Sequence, residues 1–419
     1  MPFLSLGLAP TLAHAAQALG FVAPTPIQTL AIPAALTGAD LLATAQTGSG
    51  KTASYVLPLL QAFVQLPPQS PRRTRALVLV PTRELAAQVG EVVRSLAQHM
   101  AQRAPERPRV AVLFGGVSIN PQLMALRGGA DVVVATPGRL LDVVQHNALK
   151  LDRVQTLVLD EADRLLDLGF ADELQRVLAL LPTPRQNLFF SATFPDAVQA
   201  LAAGLLRLPQ RIDVPADDNV APLVTQRAIQ VDTTRRTQLL RHLIETEGWP
   251  RVLVFVATQH AATTVAGKLN RGDCYATPFH GGLSQGARQE VLEEFKEHRW
   301  NVVVTTDLAA RGIDIEAMPV VVNYDLPRSA VDHVHRIGRT GRAGVEGLAV
   351  SFVTAASLAH WQLIQKRQGM SLPLETLPGF EPTETPPPPA PGNGGIKGTR
   401  PSKKDKLRAA AAARGTGQG

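Results

Sequence analysis

The chain has 419 residues, more than one hydrophobic core accommodates, so two domains and a tail are expected. Its 45% hydrophobic and 18% charged residues are those of a globular protein, and only 5% aromatics leaves an aliphatic core. The 42 Lys and Arg against 35 Asp and Glu favour polyanionic partners, while a single cysteine, Cys274, excludes an internal disulfide framework and a cysteine-rich zinc site. Cys274 itself reads as a small apolar residue near a strand. No segment approaches the roughly 20 apolar residues of a membrane span, and MPFLSLGLAP has no basic leader, so a soluble cytoplasmic protein is expected.

In chain order, DLLATA, RALVLV, RVAVLF, ADVVVA, QTLVLD and QNLFFS read as strands alternating with helix-like stretches. Their unbroken Val, Leu and Ile runs suit parallel strands covered on both faces. The pattern restarts with PRVLVFVATQ, CYATPFHGGL, WNVVVTTDLAARG, PVVVNYDLP and GLAVSFVT. Two tandem α/β domains follow, each a mostly parallel sheet with helices on both faces. The expected division is 1–215, a linker at 216–222 within VPADDNVAP, and 223–370. From about residue 371 the chain becomes proline-rich, then glycine-rich, then basic, which predicts a disordered cationic tail over 371–419.

In both halves the conspicuous polar residues come just after strands, the edge at which open parallel sheets bind ligands. The first such place is AQTGSGKT, between a strand and an apolar helix. Gly48 and Gly50 let backbone N–H groups turn inward around a phosphate, and the helix N-terminus favours its charge. Lys51 would reach the β- and γ-phosphates and Thr52 would hold Mg²⁺. Ala45 stands where the usual signature has its first glycine.

VQTLVLDEADRLLD places Asp160, Glu161 and Asp163 after another strand of the same domain. Asp160 suits a Mg²⁺ shared with the phosphates, and Glu161 can orient or deprotonate an attacking water. Asp163 lies further away, free to relay the state of the site. Taken alone, the run also reads as a solvated acidic turn.

These residues resemble the DEAD-box RNA helicases, named for Asp160-Glu161-Ala162-Asp163, and the resemblance spans roughly residues 3 to 368. It implies two RecA-like domains, ATP with Mg²⁺, and RNA as partner. GFVAPTPIQ is similar to the family's Q motif, in which Gln28, with Thr25, reads adenine, and Phe3 stands where an aromatic stacks on the base. The resemblance extends nucleotide contact to Gln46, Thr47, Gly48, Ser49, Gly50 and Thr52.

PTRELA (Pro81, Thr82, Arg83), Gly115-Gly116 and TPGR (Thr136, Pro137, Gly138, Arg139) are similar to the first-domain RNA motifs. Small residues there let backbone N–H groups approach a sugar–phosphate chain, giving little sequence preference. Each of these short motifs alone reads as a turn. SAT (Ser191, Thr193) matches the coupling motif, with hydroxyls suited to bonding Asp163. In the second half, Gln285 and Arg288 match a Gln-x-x-Arg motif. TTDLAARGID, with Thr306, Asp307 and Asp314, matches one that touches RNA and ribose. HRIGRTGR carries His335 for coupling and Arg339 and Arg342 as arginine fingers. His333 departs from the tyrosine usual in relatives, which concerns local packing.

The expected function is RNA-stimulated ATP hydrolysis with local unwinding of short RNA duplexes or remodelling of RNA–protein complexes, by a monomer. An ATP-gated RNA clamp and a DNA-directed translocase are the competing readings. Wording such as FFSATFPD looks like bacterial members of the RhlE type, implying work on ribosomal RNA precursors or with an RNA-degradation complex.

Overall fold

A computed structural model describes residues 2–44, 49–66, 70–101, 107–214, 224–272, 274–310, 318–341 and 346–385. The first sheet comprises β1 (Leu41–Thr44), β2 (Ala76–Leu79), β3 (Val110–Leu113), β4 (Val132–Ala135), β5 (Thr156–Leu159), β6 (Gln186–Ser191) and β7 (Gln210–Asp213). Its order is β3-β4-β2-β5-β6-β1-β7, with every pairing parallel. The second comprises β8 (Val224–Gln230), β9 (Val252–Phe255), β10 (Ala276–Phe279), β11 (Val302–Thr305), β12 (Val320–Asn323), β13 (Gly347–Val353) and β14 (Leu374–Glu375). Its order is β10-β11-β9-β12-β13-β8-β14, again all parallel.

Alternate side chains of each strand feed opposite cores, as the two-residue period requires. Val78 and Val158 point into one first-domain core, whereas Leu77, Leu79, Leu157 and Leu159 point into the other. In the second domain Val252 and Val254 divide likewise from Leu253 and Phe255. Because both faces are covered, the central strands are continuously apolar. Pro278 lies on β10, an edge strand, where its missing N–H does least harm. Cys274 is buried in the second-domain core.

The strand order sorts the motifs. After β3, β4 and β2 come Gly115-Gly116, Thr136–Arg139 and Pro81–Arg83; after β5, β6 and β1 come Asp160–Asp163, Ser191–Thr193 and the glycine-rich loop. The carboxyl edge is thus divided into two contiguous halves, meeting between β2 and β5.

The expected tail boundary at 371 needs correction. β14 pairs with β8, Arg227 holds Glu375 at 2.7 Å, and Leu377 and Phe380 pack on the second-domain core. Asp232 accepts hydrogen bonds from Thr383 and Glu384. The composition is proline-rich, but anchors at three places, at Leu374–Glu375, at Leu377 and Phe380 and at Thr383–Glu384, are enough to fasten an extended segment through Thr385. The linker expected at 216–222 and the tail beyond 385 lie outside the described residues. Among the described residues no helix is long and apolar enough to cross a membrane.

Candidate active site

The helix Lys51–Gln65 starts at Gly50, whose φ of 91° is left-handed. A Cβ at Gly50 would meet Gln28 Nε2 at 2.5 Å, so glycine is required both for the turn and for that approach. Gln28 is the third residue of the helix Pro26–Leu36; its Oε1 accepts from the Thr25 N–H at 3.0 Å and its Nε2 donates to the Gly50 carbonyl at 3.1 Å. The residues expected to read adenine therefore brace the phosphate loop in this structure. Gln46, Thr47 and Gly48 lie outside the described residues, while Ser49 and Thr52 flank Gly50 and Lys51 at the helix start.

Lys51 is 6% exposed, and its Nζ has no hydrogen-bond partner among the described residues. A buried ammonium without a partner is costly, and an anion beside it removes the cost. Asp160 is 2% exposed; burial raises its pKa, with the Lys51 charge opposing that effect and Glu161 adding to it. Tyr55 donates to Asp160 Oδ2 at 2.8 Å, and the Glu161 N–H donates to Oδ1 at 2.9 Å. Tyr55 is held well above the ordinary phenol range by burial and by the Asp160 charge. Glu161 takes a left-handed φ of 50°, which turns the chain sharply from β5 into the helix Ala162–Asp167.

Among the described residues no group of three or more His, Cys, Asp or Glu is arranged to hold a metal ion. Mg²⁺ needs only one or two carboxylates when phosphate oxygens and water complete its shell. Asp160 and Thr52 are the residues that fit.

Asp163 is the hub of the edge. Its Oδ2 accepts from the Thr193 hydroxyl at 2.7 Å and the Thr193 N–H at 3.0 Å. Its own N–H donates to Ser191 Oγ at 3.2 Å, which in turn donates to the Thr193 carbonyl. Arg164 follows directly, 3% exposed, with Nη1 at 3.6 Å from Glu161 Oε2, and neither atom has a hydrogen-bond partner among the described residues. Arg164 faces the second domain, sharing a small cleft with Asp307, His335, Arg336 and Arg339. Arg342 and Asp314 lie outside the described residues.

The other half of the edge lines a cavity of about 510 Å³, which includes Thr82, Arg83, Gly116, Gly138, Arg139 and, from the second domain, Arg288. Pro81, Gly115 and Thr136 also line it, and Pro137 opens the helix behind it. The Arg83 guanidinium lies so close over Gly116 that a Cβ there would sit 2.2 Å from Nη1. Arg139 donates through Nη2 to the Val117 carbonyl at 2.7 Å, but its buried Nε and Nη1 have no hydrogen-bond partner among the described residues. Gln285 has a buried Oε1 in the same condition at the start of the helix Gln285–Lys296. Thr306 is buried before the helix Asp307–Ala310.

Two expected roles sit differently in the structure. Phe3 is 1% exposed, with its ring 6.5 Å from that of Phe21 inside the first core, so it offers no free face for a base. Asp307 is expected at RNA, but both its carboxylate oxygens accept from Arg336. Arg336 also reaches Asn323 and the Asp325 carbonyl, tying β12 to the helix after β11.

Sequence reasoning missed Tyr55, Arg164 and Glu84. Tyr55 stands four residues after Lys51, the spacing that returns a helical side chain to the same face. Arg164 adjoins the acidic tetrad. Glu84 lies within PTRELA, directly after Arg83.

The DEAD/DEAH box helicase family model matches residues 25–201, and the helicase conserved C-terminal domain model matches 235–344. The ATP-dependent RNA helicase CshA of Listeria monocytogenes is 37% identical over 364 residues, 87% of this chain and 68% of the relative. The ATP-dependent RNA helicase DeaD of Escherichia coli is 38% identical over 379 residues, 90% of this chain and 59% of the relative. Among solved structures, S. cerevisiae Dbp5 bound to RNA and ADP BeF3 is similar with a TM-score of 0.76 and 31% identity, covering 89% of this chain and 95% of that one. Mss116p bound to ssRNA and AMP-PNP gives a TM-score of 0.77 at 26% identity, covering 88% of this chain and 77% of that one.

Proposed function

The chain belongs to the DEAD/DEAH box helicase family, and from that premise we propose how its own residues couple ATP hydrolysis to the opening of RNA. It is an ATP-dependent RNA helicase with RNA-dependent ATPase activity. One observation carries the coupling. Each half of the first-domain edge meets the second domain, Arg164 beside Arg336 and Arg339, and Arg139 beside Arg288. Nucleotide and RNA therefore each favour the same closed arrangement, and each improves the other's binding.

On the nucleotide side, Lys51 Nζ and the N-terminus of its helix take the phosphates, while Gln28, fixed by Thr25, holds Gly50 in the required turn. Glu161 orients the attacking water and accepts its proton. Mg²⁺, held by Asp160 and Thr52 when bound, would offset charge on the β- and γ-phosphates. Arg339, together with Arg342 by the family resemblance, would stabilise charge on the transferred phosphoryl group from the second domain, so turnover requires closure. Asp163, Ser191, Thr193 and His335 transmit that state to the RNA half.

There, Arg139 donates from Nη1, which has no hydrogen-bond partner among the described residues, to phosphate oxygens while its Nε faces Asp142 at 3.6 Å, with Arg83, Arg288 and the backbone at Gly115, Gly116 and Gly138 following the strand. Recognition of the backbone is independent of sequence, which suits ribosomal RNA precursors or the substrates of an RNA-degradation complex, with the chain acting as a monomer. A strand bent in the closed cleft cannot remain paired, so a short duplex opens; phosphate release reopens the cleft.

The test is steady-state ATP hydrolysis without nucleic acid, with single-stranded RNA and with matched DNA, beside release of a labelled strand from a short RNA duplex. Stimulation by RNA with ATP-dependent release is expected. Stimulation without release would identify an ATP-gated clamp, and equal stimulation by DNA would overturn the substrate class.

A further inference from the structure

The edge of the first sheet opposite the active site, where the strands begin, carries a dense basic surface. Residues 70–75, 107–109, 127–131 and 147–153 lead into β2, β3, β4 and β5, and together hold eight Lys and Arg against two Asp. One of the two, Asp131, is 1% exposed and already occupied by Arg72 and by the Arg109 N–H. The basic excess therefore stands almost uncompensated.

The arrangement is built from within. Arg109 donates to the carbonyls of Arg127 and Ala125, and Arg75 donates to those of Leu66 and Ala62 while stacking over Phe63. Gly129 has a φ of 79°, and a Cβ there would meet the Arg72 carbonyl oxygen at 2.6 Å, so the loop floor must stay open. On this frame Arg73, Lys150 and Arg153 stand exposed, with no hydrogen bond or ion pair among the described residues. They line two cavities, of about 610 and 380 Å³, which meet at Ser70, Pro71 and Arg73.

We propose that this face binds the phosphate backbone of an RNA duplex lying outside the cleft. The four strand starts are neighbours in the sheet and span about 14 Å at ~4.8 Å per strand. That length is enough to follow several phosphates of one duplex strand. None of the residues lining the two cavities is aromatic, so the surface has nothing on which to stack an unpaired base and meets charge alone. The assignment rests on the helicase reading for the identity of the polyanion, and the site itself is separate from the cleft.

The test is the variant Arg73→Gln, Lys150→Gln, Arg153→Gln, whose three side chains hold no internal contact that folding needs. Binding of a blunt RNA duplex without nucleotide is measured by fluorescence anisotropy across a salt series. ATP hydrolysis stimulated by a short single strand is followed beside it. Duplex affinity at low salt is expected to fall about tenfold or more, and the slope of log K against log salt to flatten by about 2 to 3, since each phosphate contact contributes ~0.9. Hydrolysis with the short strand stays at the wild-type rate, which separates failure here from failure of the helicase reading. An unchanged duplex affinity and slope would overturn the proposal. So would inorganic tripolyphosphate raising the melting temperature of the wild type but not of the variant while duplex binding is equal in both, because the site would then belong to a small phosphate ligand.

Discussion

Glu84 of the first domain and Arg288 of the second meet as an ion pair at 2.8 Å, Arg288 buried and Glu84 largely covered, at the wall of the cavity that Arg139 faces. Burial lowers the Arg288 pKa, the Glu84 charge opposes that and the neighbouring Arg83 adds to it, so Glu84 is the carboxylate that offsets a guanidinium which stays charged. The pair exists only while the domains are together. Removing one partner of a buried pair costs about 3 to 5 kcal/mol, and here the cost falls on closure. Glu84→Gln is expected to lower RNA-stimulated ATP hydrolysis at least about tenfold. The exchanged pair Glu84→Arg with Arg288→Glu should recover part of the loss, and its failure to do so would show that Arg288 acts on RNA alone.

Thr193 touches Asp163 Oδ2 twice, through its hydroxyl and its N–H, so Thr193→Val removes one contact and keeps the other. A hydrogen bond to a charged group contributes about 1.5 to 3 kcal/mol. The bonds that Tyr55 and the Glu161 N–H make to Asp160 do not run through Thr193. Hydrolysis is expected to stay within a few-fold of wild type while strand release falls by about 10- to 100-fold. Equal losses in both assays would place Thr193 in the hydrolytic step instead.

The two parallel sheets and the place of the ligand residues after strands were legible because buried parallel strands leave unbroken apolar runs, whereas the strand order that divides the edge into two halves was not. Side-chain pairing was not legible in the same way. Nothing in PTRELA indicates that Glu84 crosses to another domain, since that contact depends on how two separate sheets face each other. The RNA role of Asp307 comes from the resemblance of TTDLAARGID to a family motif, and nothing in that stretch indicates its pairing with Arg336, 29 residues away on another helix. Phe3 looked like a stacking aromatic, yet an apolar ring beside a core is buried by the same force that would place it on a base.

His333, where relatives usually have tyrosine, is 1% exposed, edge-on to Trp361 at 5.6 Å and bonded to Gln368 at 3.2 Å. Burial first, and the Arg336 charge second, lower its pKa to about 4. The unfolded chain takes up this proton near about pH 6.5 and the folded chain does not, so stability is complete above that value and falls on acidification toward the folded pKa. From this residue alone, about 2 kcal/mol should be lost between about pH 7 and pH 5. Denaturant unfolding of wild type and His333→Tyr at the two pH values checks it. The tyrosine variant is expected to show a shallower loss, and parallel curves would remove His333 as the cause.

The basic stretch after residue 396 has Lys397, Arg400, Lys403, Lys404, Lys406, Arg408 and Arg414 against the lone Asp405, enough charge to hold RNA loosely beside the core. Where the chain is cut decides what the experiment reads. A cut before Glu381 also removes Thr383 and Glu384 from Asp232, and with them a fastening of the second domain. Removal of residues 386–419 leaves those bonds in place and isolates the charge. For a single strand each released counterion contributes ~0.7 to the slope, so the shortened chain should lose about 2 to 5 from the salt dependence of RNA binding. Its melting temperature should match that of the full chain, whereas the cut at 381 should lower it. An unchanged salt slope would mean that the tail makes no contact with RNA and that the charge holding RNA lies within the two domains.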